Sequence, residues 1–337
     1  MGEKHLISKG EAKAAHTPVM LKQVLKALAP VADTLIVDAT FGAGGYSRAL
    51  LKEGASVIAI DRDPGVLPFA EELLAGFGER FRFVAGQFSR LDELVRNAGE
   101  NYADAVVLDI GVSSMQLDEK KRGFSFVGDG PLDMRMSGQG QSAADIVNTY
   151  EERALADLLF AYGEERRSRR IAKAICLARA QKPIETTLEL ARLIEKTIGR
   201  KPGANHPATR SFQALRIAVN REMDELVKGL FAAERLLKEG GVLAVVSFHS
   251  LEDRIVKRFF DDGKSATRVS RHMPRGQEVV GRWGDVSRAQ KPDSEEIADN
   301  PRARSAVLRF GRRSGQEARK TSYEGLGVPG GKLMGAQ

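Results

Sequence analysis

Short runs of β-branched and apolar residues alternate with amphipathic, helix-like segments in the first third of the chain. The apolar runs predict four strands, at Leu35–Asp38, Val57–Asp61, Phe81–Ala85 and Ala105–Asp109. Helical patterns lie between them, at Tyr46–Glu53, Pro64–Ala75 and Leu91–Ala98. This alternation is typical of a parallel sheet with crossover helices, so we expect an α/β fold.

The pattern changes after Asp109. The stretch from Ser113 to Leu215 contains no convincing strand, and its helices are predicted at Glu151–Tyr162, Glu164–Gln181 and Thr187–Ile198. The last of these is expected to open at Thr187 without a full capping box. The α/β alternation then resumes with a helix, a strand, a helix and a strand, at Thr209–Leu237, Gly241–Ser247, Leu251–Phe260 and Ala306–Phe310. A helical domain inserted into an α/β core is therefore predicted.

The predicted domain boundaries follow from this change of pattern. Residues 1–112 form the first part of the core, 113–214 the inserted helical domain and 215–311 the second part of the core. Residues 312–337 are rich in Gly, Arg, Lys and Ser, so we expect a mobile tail. A chain of 337 residues is long enough for two structural units.

Composition restricts the class of protein. Apolar residues make up 42% of the chain, and no apolar run approaches the roughly 18 residues that span a bilayer, so no membrane partner is expected. The first residues lack the apolar segment of a signal peptide, which predicts a cytoplasmic protein. Cys176 is the only cysteine, which excludes an internal disulfide and a cysteine-rich metal site. No metal is expected.

The net charge of +7 favours a polyanionic partner. The segment from Lys264 to Arg313 holds twelve Lys and Arg against six Asp and Glu, so most of the excess charge lies there. Two interpretations stay open for it, a solvated basic loop and a surface that contacts phosphates.

A glycine-rich turn follows the first predicted strand and opens a helix. It contains Gly42, Gly44 and Gly45, and Asp61 ends the next strand, 19 residues after Gly42. A glycine turn before a helix lets a nucleotide-type ligand approach the backbone, and an acid at this spacing accepts hydrogen bonds from ribose hydroxyls. NAD enzymes share this pattern, so an NAD-dependent oxidoreductase is one alternative.

Two details favour S-adenosyl-L-methionine over a dinucleotide. Ser47 stands where a third glycine is expected, and Asp38 at the mouth of the turn would repel a pyrophosphate. S-adenosylmethionine has no phosphate, and a carboxylate stabilises its ammonium and sulfonium groups. Phe88, after the third strand, is a candidate to stack on the adenine, or else packs beneath its loop. Asp109 ends the fourth strand at the edge where α/β sheets bind ligands.

Several ordered sequence blocks resemble the RsmH (MraW) family. They begin at Leu108–Asp118, Arg122–Phe126 and Asp129–Met136, and continue at Tyr162–Arg166, His206–Arg216, Ser247–Lys257 and Asn300–Ser305, with His16–Val19 near the start. The resemblance covers roughly residues 16 to 311. It implies a Rossmann-like class I methyltransferase core with an inserted helical domain, and methylation of the N4 amine of a cytosine in 16S rRNA at the decoding centre.

The resemblance also implies which residues bind the donor. The family's contacts fall on Gly44, Gly45, Tyr46, Asp61, Phe88, Asp109 and Gln116. Many relatives have His where this chain has Tyr46, so only a backbone contact is carried over at that position.

Amine methylation is an in-line displacement that needs no covalent nucleophile. Cys176 lies in an amphipathic pattern and is interpreted as a packed thiol, which disfavours methylation at cytosine C5. The candidates to hold the amine or take its proton are Asp109, Asp133 and His249. For His249, capping the helix that follows is the structural alternative.

Arg122, His206, Arg210 and Arg216 are the candidates for RNA contacts, each with a surface salt bridge as its structural alternative. The expected partner is 16S rRNA within the small ribosomal subunit, and a homodimer stays open. A non-catalytic RNA-binding protein on a methyltransferase scaffold is the second alternative function.

Overall fold

The computed structural model describes residues 18–203, 205–261 and 281–329, and its centre is a seven-stranded sheet. The strands are β1 (Leu35–Asp38), β2 (Ser56–Asp61), β3 (Phe81–Ala85), β4 (Ala103–Asp109), β5 (Leu237–Ser247), β6 (Trp283–Gly284) and β7 (Val307–Arg313). Their order is β3-β2-β1-β4-β5-β7-β6. β1 to β5 pair in parallel, whereas β7 runs antiparallel to β5 and β6 antiparallel to β7.

Helices cover both faces of the sheet and fill the connection between β4 and β5. They are α1 (Leu21–Leu28), α2 (Gly45–Lys52), α3 (Leu67–Phe77), α4 (Leu91–Asn97), α5 (Ser114–Asp118), α6 (Ala143–Thr149), α7 (Glu152–Gly163), α8 (Ser168–Arg179), α9 (Thr187–Ile198), α10 (Thr209–Asn220), α11 (Glu222–Leu236), α12 (Ser250–Phe260) and α13 (Ser294–Asp299).

Each central strand is buried on both faces because its alternate residues enter two different apolar clusters. Ile36 of β1 and Ala105 of β4 pack with α1, α2 and α3. Val37 and Val106 point to the other face and pack with α4, α11 and α12. Burial on both faces explains why these strands appear in the sequence as nearly continuous apolar runs.

The predicted α/β fold is confirmed, with strand boundaries that agree to within a few residues. The prediction was wrong for Thr209–Leu237, which is two helices, α10 and α11, separated at Arg221. Arg221 has φ of 50°, a left-handed conformation that ends the first helix. Apolar periodicity continues across this break, so the sequence pattern alone does not reveal it.

The start of α9 also differs from the prediction. Thr186, not Thr187, is the N-cap, and its hydroxyl accepts from the backbone N–H of Glu189. The Glu189 carboxylate accepts in return from the backbone N–H of Thr186, at 3.2 Å, which completes a capping box. Thr187 is instead buried at the first helical position.

Helices α5 to α10 occupy the segment between β4 and β5. Their apolar side chains, among them Leu159, Ile175 and Leu190, belong to the same buried cluster as Val106 of the sheet. The inserted helices therefore share a continuous core with one face of the sheet. This contact holds the insert over the carboxyl edge of the strands.

The predicted mobile tail was wrong for residues 314–329. Arg319 donates from Nε and Nη2 to the buried Glu234 of α11, and its guanidinium lies 4.4 Å from the ring centroid of Phe259. Tyr323 donates to Asp224, and Leu326 is buried. The contacts of Arg319, Tyr323 and Leu326 thus hold this segment against the rest of the fold, although its overall composition is polar.

Within residues 18–203, 205–261 and 281–329, none of the helices combines the length and the apolar character needed to cross a lipid bilayer.

Substituting Arg319 tests whether the C-terminal segment stabilises the fold. Arg319→Ala leaves the Glu234 carboxylate buried without its guanidinium, so we expect the free energy of unfolding to fall by about 3 to 5 kcal/mol. Denaturant unfolding followed by circular dichroism measures the change. Lys320→Ala, at the exposed neighbouring position, should change stability by less than about 0.5 kcal/mol. Equal unfolding midpoints for the two variants would contradict this account.

Candidate active site

A cavity opens where the carboxyl ends of β1, β2 and β4 meet the inserted helices. It is lined by the glycine turn, by the residues after β2 and β4, and by residues of α11 and of the segment after β5. The lining includes Pro18, Phe41, Gly42, Gly45, Tyr46, Asp61, Asp63, Phe88, Asp109, Gly111, Gln116, Met136, Glu222, Glu225, Phe248, Asn300 and Arg302. A cavity at this edge is where open α/β sheets bind ligands.

The carboxylate of Asp61 bonds to the backbone of the glycine turn and to the backbone just after β2. One carboxylate oxygen accepts from the backbone N–H of Gly42 at 2.8 Å, and the other accepts from the N–H of Asp63 at 2.9 Å. Burial raises the pKa of Asp61, and these two hydrogen bonds oppose that rise. The carboxylate therefore connects two segments that line the cavity, the glycine turn and the residues after β2.

Asp38 lies behind the turn rather than at its mouth. It is fully buried and accepts from the hydroxyl of Ser47 at 2.6 Å and from the backbone N–H of Ser47 at 3.2 Å. Burial raises its pKa to about 6, although the hydrogen bond from Ser47 lowers it. Ser47 stands where the sequence pattern expects a third glycine, and its hydrogen bonds to Asp38 anchor α2 to β1.

Two glycines of the turn are required by close approach. Gly44 has φ of 75°, and a Cβ there would lie 2.8 Å from the ring of Phe41. A Cβ on Gly45 would lie 2.2 Å from Cγ of Pro18. Gly45 and Pro18 both line the cavity, so the turn leaves no room for a larger residue at that point.

Asp109 contributes a buried carboxyl to the cavity wall. Its backbone N–H donates to the hydroxyl of Thr40 at 2.6 Å, while its Oδ1 is buried without a hydrogen-bond partner. Burial raises the pKa of Asp109 well above its usual range, and repulsion from Asp38 and Glu252 adds to the rise. An unsatisfied buried oxygen at a cavity marks a place where a ligand can donate.

Gln116 and Arg122 are joined through Asp63. The amide of Gln116 donates to Asp63 at 2.7 Å, and the guanidinium of Arg122 donates to both Asp63 oxygens at 3.2 and 2.9 Å. Arg122 also donates to the carbonyls of Arg135 and Met136. These bonds tie the insert to the cavity, and they conflict with the expectation that Arg122 is available for an RNA phosphate.

Tyr46 and Phe88, two residues for which the family resemblance implies donor binding, both line the cavity. The Tyr46 ring is buried and its hydroxyl donates to the carbonyl of Val19. Phe88 packs closely on α11, where a Cβ on Gly229 would lie 2.4 Å from its ring. Gly44 shapes the turn but is not among the lining residues.

The remaining candidates for RNA contacts lie in different surroundings. Arg210 is exposed and makes one hydrogen bond, to the carbonyl of Glu164 at 3.3 Å. The ring of His206 packs against Phe126, with centroids 4.7 Å apart and the ring planes tilted by 39°. Arg216 is only 16% exposed and binds Glu222, so its burial conflicts with the expected phosphate contact.

Two of the three proposed proton acceptors are engaged elsewhere. Asp133 does not line the cavity and is bound by Nε and Nη2 of Arg135, at 2.9 and 2.6 Å. His249 is the N-cap of α12, and its Nδ1 accepts from the backbone N–H of Glu252 at 3.4 Å. The structural alternative for His249 is therefore the observed one.

Among the described residues, one group of three side chains, Glu222, His249 and Glu252, has ligand atoms within 4.8 Å of one another, as a metal ion would need. Nδ1 of His249 accepts from the backbone N–H of Glu252, Nε2 of His249 lies 2.9 Å from Oε1 of Glu252, and Arg216 pairs with Glu222. The group is better explained as a hydrogen-bonding cluster.

Sequence reasoning missed several cavity residues, of which Glu222, Glu225 and Phe248 are the most notable. Glu225 accepts from the hydroxyl of Ser89 at 3.0 Å, beside Phe88. Both glutamates lie in what the sequence presents as an uninterrupted helix, so no local signal marks them. Phe248 lies within the Ser247–Lys257 block, for which the family resemblance implies no role at this residue.

The basic segment from Lys264 to Arg313 is described only in part. Residues 264–280 lie outside the described residues, as do His16 and Thr17 of the first sequence block. In the described part, Arg309 binds Asp253 at 2.7 Å and Arg313 is buried against α11. Arg302 lines the cavity and binds Asp118 at 2.7 Å.

The parallel sheet, the glycine turn before α2 and the acid at the end of β2 are typical of Rossmann-like folds that bind a nucleotide-type cofactor. The class of this protein is that of the methyltransferases that use S-adenosylmethionine. Residues 13–314 match the sequence profile of the MraW methylase family, and the chain belongs to this family.

Curated relatives agree over nearly the whole chain. A protein of Cereibacter sphaeroides named ribosomal RNA small subunit methyltransferase H is 56% identical over 318 residues, which cover 93% of this chain and 95% of the relative. A protein of the same name from Methylorubrum populi is 57% identical over 89% of this chain and 88% of the relative. A solved chain from Clostridium thermocellum titled putative rRNA-methylase superposes with a TM-score of only 0.40 at 11% identity, which carries no inference.

Adding a methyl group at Gly45 tests the fit of the cavity. Gly45→Ala would force its Cβ against Pro18, so we expect binding of S-adenosylhomocysteine to weaken at least about tenfold. Isothermal titration measures the affinity. Gly76→Ala is the matched control, because nothing lies within 4 Å of its Cβ position in α3. Native-like affinity in Gly45→Ala would show that the turn does not contact the donor.

Proposed function

We propose that this protein transfers a methyl group from S-adenosylmethionine to the N4 amine of a cytosine in 16S rRNA, at the decoding centre of the small ribosomal subunit. The observation that supports it most is the cavity between Asp61, Asp109 and the insert, within a chain of the MraW methylase family. The names of the relatives support small-subunit rRNA as the substrate.

The cavity suits adenosine joined to a methionine. Asp61 lies where a carboxylate can accept hydrogen bonds from both ribose hydroxyls. The ring of Phe88 can stack on the adenine. Because Gly45 has no side chain, the backbone there is accessible to the methionine part of the ligand. The unpartnered Oδ1 of Asp109 can accept a hydrogen bond from the ammonium group of that methionine. When bound, S-adenosylmethionine supplies an electrophilic methyl group on a sulfonium.

The inserted helices form the opposite wall of this cavity. Gln116 and Met136 line it from the insert, and the Asp63–Arg122 pair ties that wall to the end of β2. A cytosine that has left its stacked surroundings would enter between the two walls. The residues of this chain then position the amine in line with the methyl group.

Methylation of an amine is favoured over methylation of a carbon. Attack through cytosine C5 requires a cysteine thiolate, and Cys176, on α8, is not among the residues that line the cavity. The cavity instead offers carboxyl groups, which can accept hydrogen bonds from an amine. Arg210, one of the four candidates for RNA contacts, is exposed and can reach a phosphate.

Asp61 provides a test of the donor site. Asp61→Ala removes the acceptor for two ribose hydroxyls and releases the N–H of Gly42, so we expect S-adenosylhomocysteine to bind more weakly by about 1 to 3 kcal/mol. Isothermal titration gives the difference, with Glu79→Ala at an exposed position before β3 as the control. Unchanged affinity in Asp61→Ala would remove Asp61 from the site.

The activity itself is tested with small ribosomal subunits from a strain that lacks the modification. Purified protein and methyl-labelled S-adenosylmethionine should label the 16S rRNA, and nucleoside mass spectrometry should identify N4-methylcytidine. Absence of transfer would favour the non-catalytic RNA-binding protein, and a C5-methylated product would disprove N4 specificity. Binding of NADH without binding of S-adenosylhomocysteine would favour the oxidoreductase.

A further inference from the structure

Glu222 occupies the wall of the cavity at the start of α11. Its side chain is only 5% exposed, yet it lines the cavity together with Phe248, which follows β5. Arg221, in its left-handed conformation, turns the chain so that Glu222 lies in the first turn of the new helix. A carboxylate is stabilised there by the helix N-terminus.

Arg216 holds the Glu222 carboxylate in one orientation. Nε of Arg216 donates to Oε1 at 2.8 Å, and Nη2 donates to Oε2 at 2.8 Å. A carboxylate offers about four lone-pair positions, so this paired contact leaves each oxygen able to accept again. The guanidinium therefore fixes the plane of the carboxylate without saturating it.

A buried polar cluster lies behind Glu222. The ligand atoms of Glu222, Glu252 and His249 are within 4.8 Å of one another, and Oε1 of Glu252 lies 2.9 Å from Nε2 of His249. Glu222 and Glu252 thus form one buried cluster with the basic groups of Arg216 and His249. A carboxylate at this position can stabilise positive charge that develops on a nearby nitrogen.

We propose that Glu222 accepts a hydrogen bond from the amine that is methylated and then receives its proton, with Arg216 as a positioning residue. The inference rests on the proposed function, because it assigns the proton acceptor for the same reaction. As the new N–C bond forms, the C–S bond breaks and its electron pair stays on sulfur. One N–H proton of the now positively charged nitrogen passes to a carboxylate oxygen of Glu222.

Asp109 is less suited to this role. Burial, together with repulsion from Asp38 and Glu252, raises the pKa of Asp109, so its carboxyl holds a proton more readily. A protonated carboxyl has less capacity to accept another proton. Glu222, in contrast, has a guanidinium paired with both oxygens, and it faces the cavity next to Phe248.

Glu222→Gln keeps the shape of the side chain and removes its charge. We expect kcat for methylation of small ribosomal subunits to fall at least about 100-fold, with KM for the donor and affinity for S-adenosylhomocysteine within about threefold of native. Arg216→Lys, which loses the paired contact, should lower kcat in the same direction. Glu152→Gln, at an exposed position in α7, is the matched control.

Binding gives a readout that does not depend on turnover. With S-adenosylhomocysteine present, native protein should prefer an RNA oligonucleotide carrying cytosine at the modified position over one carrying uracil. Fluorescence anisotropy measures this preference, which should fall about tenfold in Glu222→Gln. Retained binding of S-adenosylhomocysteine shows that the variant is folded.

The outcomes separate this inference from the proposed function. If native protein forms N4-methylcytidine and Glu222→Gln has native kcat and native cytosine preference, the inference is wrong and the proposed function stands. If native protein methylates no amine, both are wrong. Elemental analysis that finds a stoichiometric metal in native protein, lost in Glu222→Gln, would also overturn the inference, because Glu222 would then be a metal ligand.

Discussion

The convergence of buried carboxyl groups at one edge of a parallel sheet governs this structure. Asp38, Asp61 and Asp109 end β1, β2 and β4, and parallel strands bring these ends together. Burial raises the pKa of all three, and repulsion adds to the rise at Asp38, from Asp61, and at Asp109, from Asp38. The glycine turn, Ser47 and Thr40 supply the hydrogen bonds that make this edge stable.

The insert is positioned by polar contacts as well as by its core. Asn220 accepts from the backbone N–H of Met136 and donates to the carbonyl of Met134, which fixes a loop of the insert to the end of α10. Arg122 joins the same loop to Asp63, which lines the cavity. Arg122, a candidate for an RNA contact, thus supports the cavity wall from within.

Charged residues were the least predictable part of the site. An arginine in a sequence has the same character whether it faces solvent or a buried carboxylate, and only its surroundings decide between the two. Arg210 is exposed, whereas Arg216, six residues later on α10, is buried against Glu222. Likewise Asp133 pairs with a neighbouring arginine, while Asp109 has an oxygen without a partner.

The sequence by itself determined the alternation of strands and helices, the glycine turn and the acid after β2, because these depend on local periodicity and backbone conformation. The sequence blocks also determined the family. Tertiary structure alone decided where the helix after the insert breaks, which arginines are buried and how residues 314–329 pack. Those features depend on contacts between residues distant along the chain, such as Glu234 with Arg319 and Glu222 with the segment after β5, which local patterns do not encode.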